Sequence, residues 1–165
     1  MYRLLNDIRF NTYIAAVSEH SDDEDSHGRL SMWRAFGGNI ARVAIVINVP
    51  MTSTSVQALN IEFSPVAYLK EREVHDELHK VIRNICTETE FLRSIDRKII
   101  VQMVTHMLIV GVVCLKHEGF HEEREWRVIY APKRLPSDLM EYSSEVIGGI
   151  PQPVCNIPLE STRSP

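Results

Sequence analysis

Cysteine is scarce in this chain of 165 residues: Cys86, Cys114 and Cys155 are odd in number and never form a C-x-x-C pair. That spacing argues against a disulfide framework or a four-cysteine zinc site, and predicts reduced thiols in a cytoplasmic protein. Glycine and proline number only 7 and 8, too few for a low-complexity chain. Positive charge is not in excess either: 18 basic side chains stand against 22 acidic ones, for a net charge of −4. Nucleic acid or an anionic membrane would need a basic stripe, so neither partner is expected. Asn6, Asp7 and Asn11 break up the first residues, so no signal-peptide core is expected there. One uncharged run exists, Ile99 to Leu115, and Gln102, Thr105 and His106 interrupt it. Its length lies at the lower edge of a membrane span, and it reads as a core helix.

What is present is a well-patterned apolar content of 44%, enough for one domain over residues 1–165 with its own core. Thr12 to Val17 reads as a strand. An acidic loop from 18 to 31 follows, with Glu19, Asp22, Asp23, Glu24 and Asp25. Ser31 to Phe36 suits a short helical turn ended by Gly37-Gly38. Val43 to Val49 is almost wholly β-branched, the signature of a strand buried on both faces, and Pro50 stops it. Val66 to Leu69 is a further strand candidate. Val74, Leu78, Val81, Ile82 and Ile85 then recur at helical spacing among charged residues, and Leu92 and Ile95 continue the pattern. Ser94 or Asp96 can cap a second, more buried helix through Leu115. Glu125 to Ala131 is a strand, and Val146 to Leu159 offers one or two edge strands around Gly148-Gly149, Pro151 and Pro153. Strands and helices do not alternate regularly. The order predicts an α+β fold, a twisted mixed or antiparallel sheet with two central helices inserted between strands.

Three constellations could carry chemistry. His117-Glu118-Gly119-Phe120-His121 fits H-E-x-x-H, which on a helix would place two imidazoles on one face for zinc, with the Glu activating water. Gly119 weakens that helix, and a chance match at a helix end is the plainer reading. His75 and His79 share a helix face without a third ligand in view, and His106 suits a core histidine. The third constellation is Glu122-Glu123-Arg124-Glu125-Trp126-Arg127, entering a strand. Alternation from Glu123 would put Glu123, Glu125 and Arg127 on one face and Arg124, Trp126 and Val128 on the other. Crowded carboxylates raise one another's pKa and a nearby Arg lowers it, so such a face is either a site or a salt-bridged sheet surface.

Beside Ser53-Thr54-Ser55, the Glu123-x-Glu125 pair resembles one class of ADP-ribosyltransferases. These carry S-T-S on a strand, E-x-E at the head of a later strand, and an Arg on the first strand; Arg3 and Arg42 are the candidates here. The resemblance implies hydroxyls holding the nicotinamide side of NAD. It also implies a carboxylate that holds the ribose 2′-hydroxyl and stabilises positive charge as nicotinamide leaves.

A second resemblance covers residues 12 to 131. It rests on Ser18-Glu19 with Asp22 and Asp23, on Ser31-Met32-Trp33-Arg34-Ala35-Phe36-Gly37, and on the Val43 to Val49 run. Its most specific block is Lys116-His117-Glu118-Gly119-Phe120 leading into Glu123-Arg124-Glu125-Trp126-Arg127. In this order the chain is similar to the bacterial family called domain of unknown function 2971. The resemblance implies Ser18, Asp23, Trp33, Glu123, Glu125 and Arg127 as site residues. It accounts for Lys116, His117 and Phe120, but not for His121, which counts against the zinc motif. Members usually begin with an aromatic-rich strand and an Asn-Asp-containing segment; here only Asn6-Asp7 hints at this and the preceding strand is not seen, so a truncated or inactive form is implied.

These readings combine into one expectation: a small nucleotide ligand, with NAD as substrate and no firmly assigned cofactor or metal. Glu125 and Glu123 would be catalytic, Trp33 would stack on a ring, Arg127 would hold a phosphate or carboxylate, and Ser18 and Asp23 would line the site. The competing expectation is a non-catalytic domain. There Glu125 and Arg127 pair to hold the sheet, Trp33 is core, and a protein partner docks through the acidic loop. A zinc peptidase built on His117, Glu118 and His121 is the third.

Overall fold

The computed structural model describes residues 11–21, 28–36, 43–47 and 57–158. The elements are β1 (Tyr13–Ser18), α1 (Leu30–Phe36), β2 (Glu62–Pro65), β3 (Ala67–Leu69), α2 (Glu71–Thr87), α3 (Thr89–Arg93) and α4 (Arg97–Val113). They continue with β4 (Leu115–His117), a 3-10 turn (Glu118–Glu123), β5 (Glu125–Tyr130), β6 (Glu141–Ile147) and β7 (Ile150–Asn156). Helices are gathered between strands rather than alternating with them, which makes this an α+β fold.

Three sheets form. β1, β5 and β2 hydrogen-bond in that order; β3 pairs with β4; β6 pairs with β7. The β3–β4 pair is parallel, with Ala67, Tyr68 and Leu69 opposite Leu115, Lys116 and His117. Parallel neighbours need a long crossover, and α2, α3 and α4 supply it. Lys70 opens α2 by donating its backbone N–H to the Glu73 carboxylate at 2.8 Å. The Asp96 side chain caps α4, accepting from the Lys98 N–H at 2.7 Å. At the other end of the chain, β6 and β7 form an antiparallel hairpin with Ile147 opposite Ile150. Gly148 and Gly149, at φ +59° and +82°, supply the two left-handed residues its tight turn requires.

Chain contacts define two compact units, and the division falls within β1, β2 and β5. The first takes its described residues from Met1–Ala16, Ile45–Phe63 and Arg127–Pro165; the second takes them from Val17–Ala44 and Ser64–Trp126. The core of the first unit is Leu59, Tyr130 and Met140, with Tyr13, Ile61, Cys155 and Ile157 packed against it. In the second unit the buried side chains are Val66, Cys114 and, unusually, Glu125.

Two expectations fail here. Residues 43–47 form no strand, and Val43 and Ile45 are more than four-fifths exposed, while Asn48 and Val49 lie outside the described residues. β-branched side chains favour a pleated, half-buried surface, and among the described residues no strand pairs with this segment to provide one. Nor is α4 a core helix: none of its residues is buried, and Ile99, Val101, Met103, Met107, Leu108 and Val112 are exposed. Its half-buried residues, Ile100, Val104, Thr105, His106, Ile109, Val110 and Val113, are spread around the axis and share no one stripe. With apolar residues on all sides, the pattern marks no single face for a neighbour to cover.

Candidate functional site

Lys116 lies in the middle of β4, opposite Tyr68 on β3. Its Nζ donates to the Glu125 carboxylate at 3.0 Å and also to the Glu123 carboxylate. The Tyr68 hydroxyl accepts the Glu125 backbone N–H at 2.7 Å, so β3 fixes the first residue of β5 while β4 supplies its counter-charge. Strand alternation is not what brings the two glutamates together. Glu123 closes the 3-10 turn, and between the pair Arg124 turns left-handed at φ +42°. That kink directs both carboxylates to one ammonium, replacing the single strand face expected for Glu123, Glu125 and Arg127.

Burial grades the three charges. The Glu125 side chain is 9% exposed, Glu123 19% and Lys116 24%. Burial alone pulls the Lys116 pKa down, yet its hydrogen bonds to Glu123 and Glu125, with their charges, raise it above the ordinary 10.5. Lys116 is therefore held as an ammonium and is no nucleophile at neutral pH. With two carboxylates against one cation, the triad carries a net negative charge. The Phe120 ring, half-exposed, lies 5.0 Å from Nζ and adds a cation–π contact.

A guanidinium fastens this turn to β1. Arg29 donates from one nitrogen to the Ser18 hydroxyl at 2.9 Å and to the carbonyls of Glu122 and Glu123 at 3.0 and 2.9 Å. Its other terminal nitrogen donates to the Glu19 carbonyl at 2.8 Å. The Ser18 hydroxyl in turn donates to the Glu123 carbonyl at 2.6 Å, and the Glu19 N–H donates to the Arg124 carbonyl at 2.9 Å. Ser18 thus meets Glu123 through its backbone and not through its carboxylate.

The other expected site residues fall elsewhere. Trp33, on α1, lies against Gly28, where an added Cβ would come within 2.7 Å of the indole nitrogen. At 36% exposure it is not a core residue. Arg127 is half-buried and belongs to the first unit, whereas Lys116, Glu123 and Glu125 belong to the second. Asp23, Ser53-Thr54-Ser55, Arg3 and Arg42 lie outside the described residues.

The H-E-x-x-H match does not form a helical zinc face. His117 ends β4 and Glu118 to His121 lie in the 3-10 turn, so the four-residue spacing does not stack two imidazoles as an α-helix would. His117 Nδ1 instead accepts the Gly119 N–H at 3.1 Å, and His121 Nδ1 lies 3.1 Å from the Glu118 carbonyl. Glu118 pairs with Lys70 at 3.3 Å. Among the described residues no group of three or more His, Cys, Asp or Glu side chains is placed to hold a metal, the His75–His79 pair included.

Sequence reasoning passed over Lys116, Tyr68 and Arg29 as site residues. Lys116 had a signal, since a lone cation precedes a dense acidic block by a few residues. Tyr68 and Arg29 had none, because each acts across more than fifty residues of chain on a backbone group.

A family profile described as "Protein of unknown function (DUF2971)" matches residues 32–128, more than half of the chain. No curated protein and no solved structure matches it.

Proposed function

The chain belongs to this family of proteins of unknown function, and from that premise we propose that it is an ADP-ribosyltransferase-like domain whose substrate is NAD. The convergence of Glu123 and Glu125 on Lys116 at the head of β5 supports this reading. An ionised carboxylate has about four acceptor positions, so Glu123 can accept a ribose hydroxyl while still holding Lys116. The net negative charge of the triad suits a sugar that becomes cationic as nicotinamide departs. Burial divides the roles: Glu123 is the more open carboxylate and faces the ligand, and Glu125 holds Lys116 in place. That exchanges the roles expected from the E-x-E pattern.

The reading is tested by incubating purified protein with NAD and following nicotinamide release and melting temperature. Wild-type protein is expected to release nicotinamide and to be stabilised by NAD. Glu123→Gln is expected to lower release by about 100-fold, as for loss of one electrostatic stabiliser. If the wild-type protein neither cleaves NAD nor is stabilised by it, the reading fails.

A second, non-catalytic reading draws on the burial of Glu125, whose carboxylate and backbone N–H are both engaged internally. Here the triad is a structural lock and the domain serves a protein partner. Glu125→Gln would then lower the melting temperature and leave no ligand response to lose.

A further inference from the structure

Arg29 stands outside every motif in the sequence, yet it makes more of the hydrogen bonds around the carboxylate pair than any other side chain described. Its partners include the Ser18 hydroxyl and three backbone carbonyls, those of Glu19, Glu122 and Glu123. A guanidinium suits this task because its planar fork presents several donors in fixed directions, which an ammonium does not. Carbonyls at the end of a helical turn have no partner within the turn, and Arg29 satisfies two of them in the last residues of the 3-10 segment. The Glu123 carbonyl is held twice, by Arg29 at 2.9 Å and by Ser18 at 2.6 Å. Directly after it comes the left-handed Arg124, whose own carbonyl is held by the Glu19 N–H. The backbone on both sides of the Glu123 side chain is thus pinned to the end of β1 and the residues after it.

We propose that Arg29 is the positioning residue of the site: its grip on the Glu122 and Glu123 carbonyls aims the Glu123 carboxylate at Lys116, and Ser18 acts as its partner. At Glu122 and Glu123 Arg29 grips the carbonyls, so it acts through the backbone. Among the described residues Lys116 is met by two carboxylates, Glu123 from the turn and Glu125 from β5, with the uncharged Phe120 ring beside it. Losing the aim of Glu123 therefore removes one of its two counter-charges.

The Lys116 ammonium reports on this directly. It would be titrated by NMR, with side-chain-labelled lysine, in wild-type, Arg29→Ala, Arg29→Lys and Glu123→Gln proteins. Arg29→Ala and Arg29→Lys are both expected to move the Lys116 midpoint down, in the same direction as Glu123→Gln. Both are also expected to abolish stabilisation by NAD. Arg29→Lys keeps the charge but loses the fork, so it carries the test if Arg29→Ala does not fold. A Lys116 midpoint unchanged from wild type in a folded Arg29 variant that still differs from Glu123→Gln overturns the proposal. The biological weight of the inference rests on Glu123 facing the ligand, but the titration needs no NAD. A wild-type protein indifferent to NAD sinks the enzymatic reading, whereas an unmoved Lys116 sinks this one.

Discussion

Lys116 lies between two carboxylates, and removing it shows what such a position costs. In Lys116→Met, the buried Glu125 loses this ammonium and faces Glu123 across the vacated space. Breaking a buried pair from one side typically costs about 3 kcal/mol, and in a chain of this size that lowers the melting temperature by roughly 6–12 °C. Wild-type protein should respond to pH in the alkaline range. Because the pKa of Lys116 is raised on folding, its contribution is complete below the ordinary lysine value of 10.5 and is lost as pH rises through the higher folded value. Urea denaturation of both proteins between pH 7 and pH 11 checks the deficit and the alkaline loss together. Of this, only the E-x-E and a lone lysine ahead of the acidic block were legible in the sequence. A lysine becomes a counter-ion only when a strand register places it there.

At the scale of elements, local rules did most of the work. β1, α1, β3, α2, α4 and β5 lie where periodicity and turn residues put them, to within a few residues at the ends. Asp96 caps α4 through its side chain, as its type and position suggest. β2 and β4 were missed, being only 4 and 3 residues long and owing their existence to the strands beside them. The hairpin extends beyond its sequence signal because β6 starts at Glu141, paired to Asn156, ahead of the apolar Val146. Within the hairpin's unit, the Tyr142 hydroxyl donates to the Tyr130 hydroxyl at 3.2 Å, and its ring packs on Tyr13. That hydrogen bond, followed by desolvation, pushes the Tyr142 hydroxyl well above the ordinary tyrosine range. An ultraviolet titration of wild-type protein should thus show a late-ionising tyrosine, and Tyr142→Phe should abolish that late step. If the late step persists in the variant, the cluster is not arranged in this way.

For the molecule as a whole, burial ranks the thiols in a way that composition cannot. Cys86 is exposed on α2, Cys155 is partly covered with its thiol pKa pushed up by burial, and Cys114 is buried. Alkylation followed by mass spectrometry should therefore label Cys86 first and Cys114 last; a fast-reacting Cys114 would contradict the packing between α4 and β4. The sequence by itself determined the α+β class, most helices and strands, and the acidic character of the Glu122–Glu125 block. These depend on periodicities of two and 3.6 residues and on side chains that act over a few neighbours. Only the tertiary structure decided that Glu123 and Glu125 meet Lys116, that Ser18 and Arg29 act on carbonyls, and that residues 43–47 and α4 are not core. Each of those outcomes depends on groups brought together from distant parts of the chain, where register and coverage decide whether a charge is paired or an apolar face is hidden. Such pairings leave no mark on local spacing, and so the carboxylates were visible in advance while the groups that hold them were not.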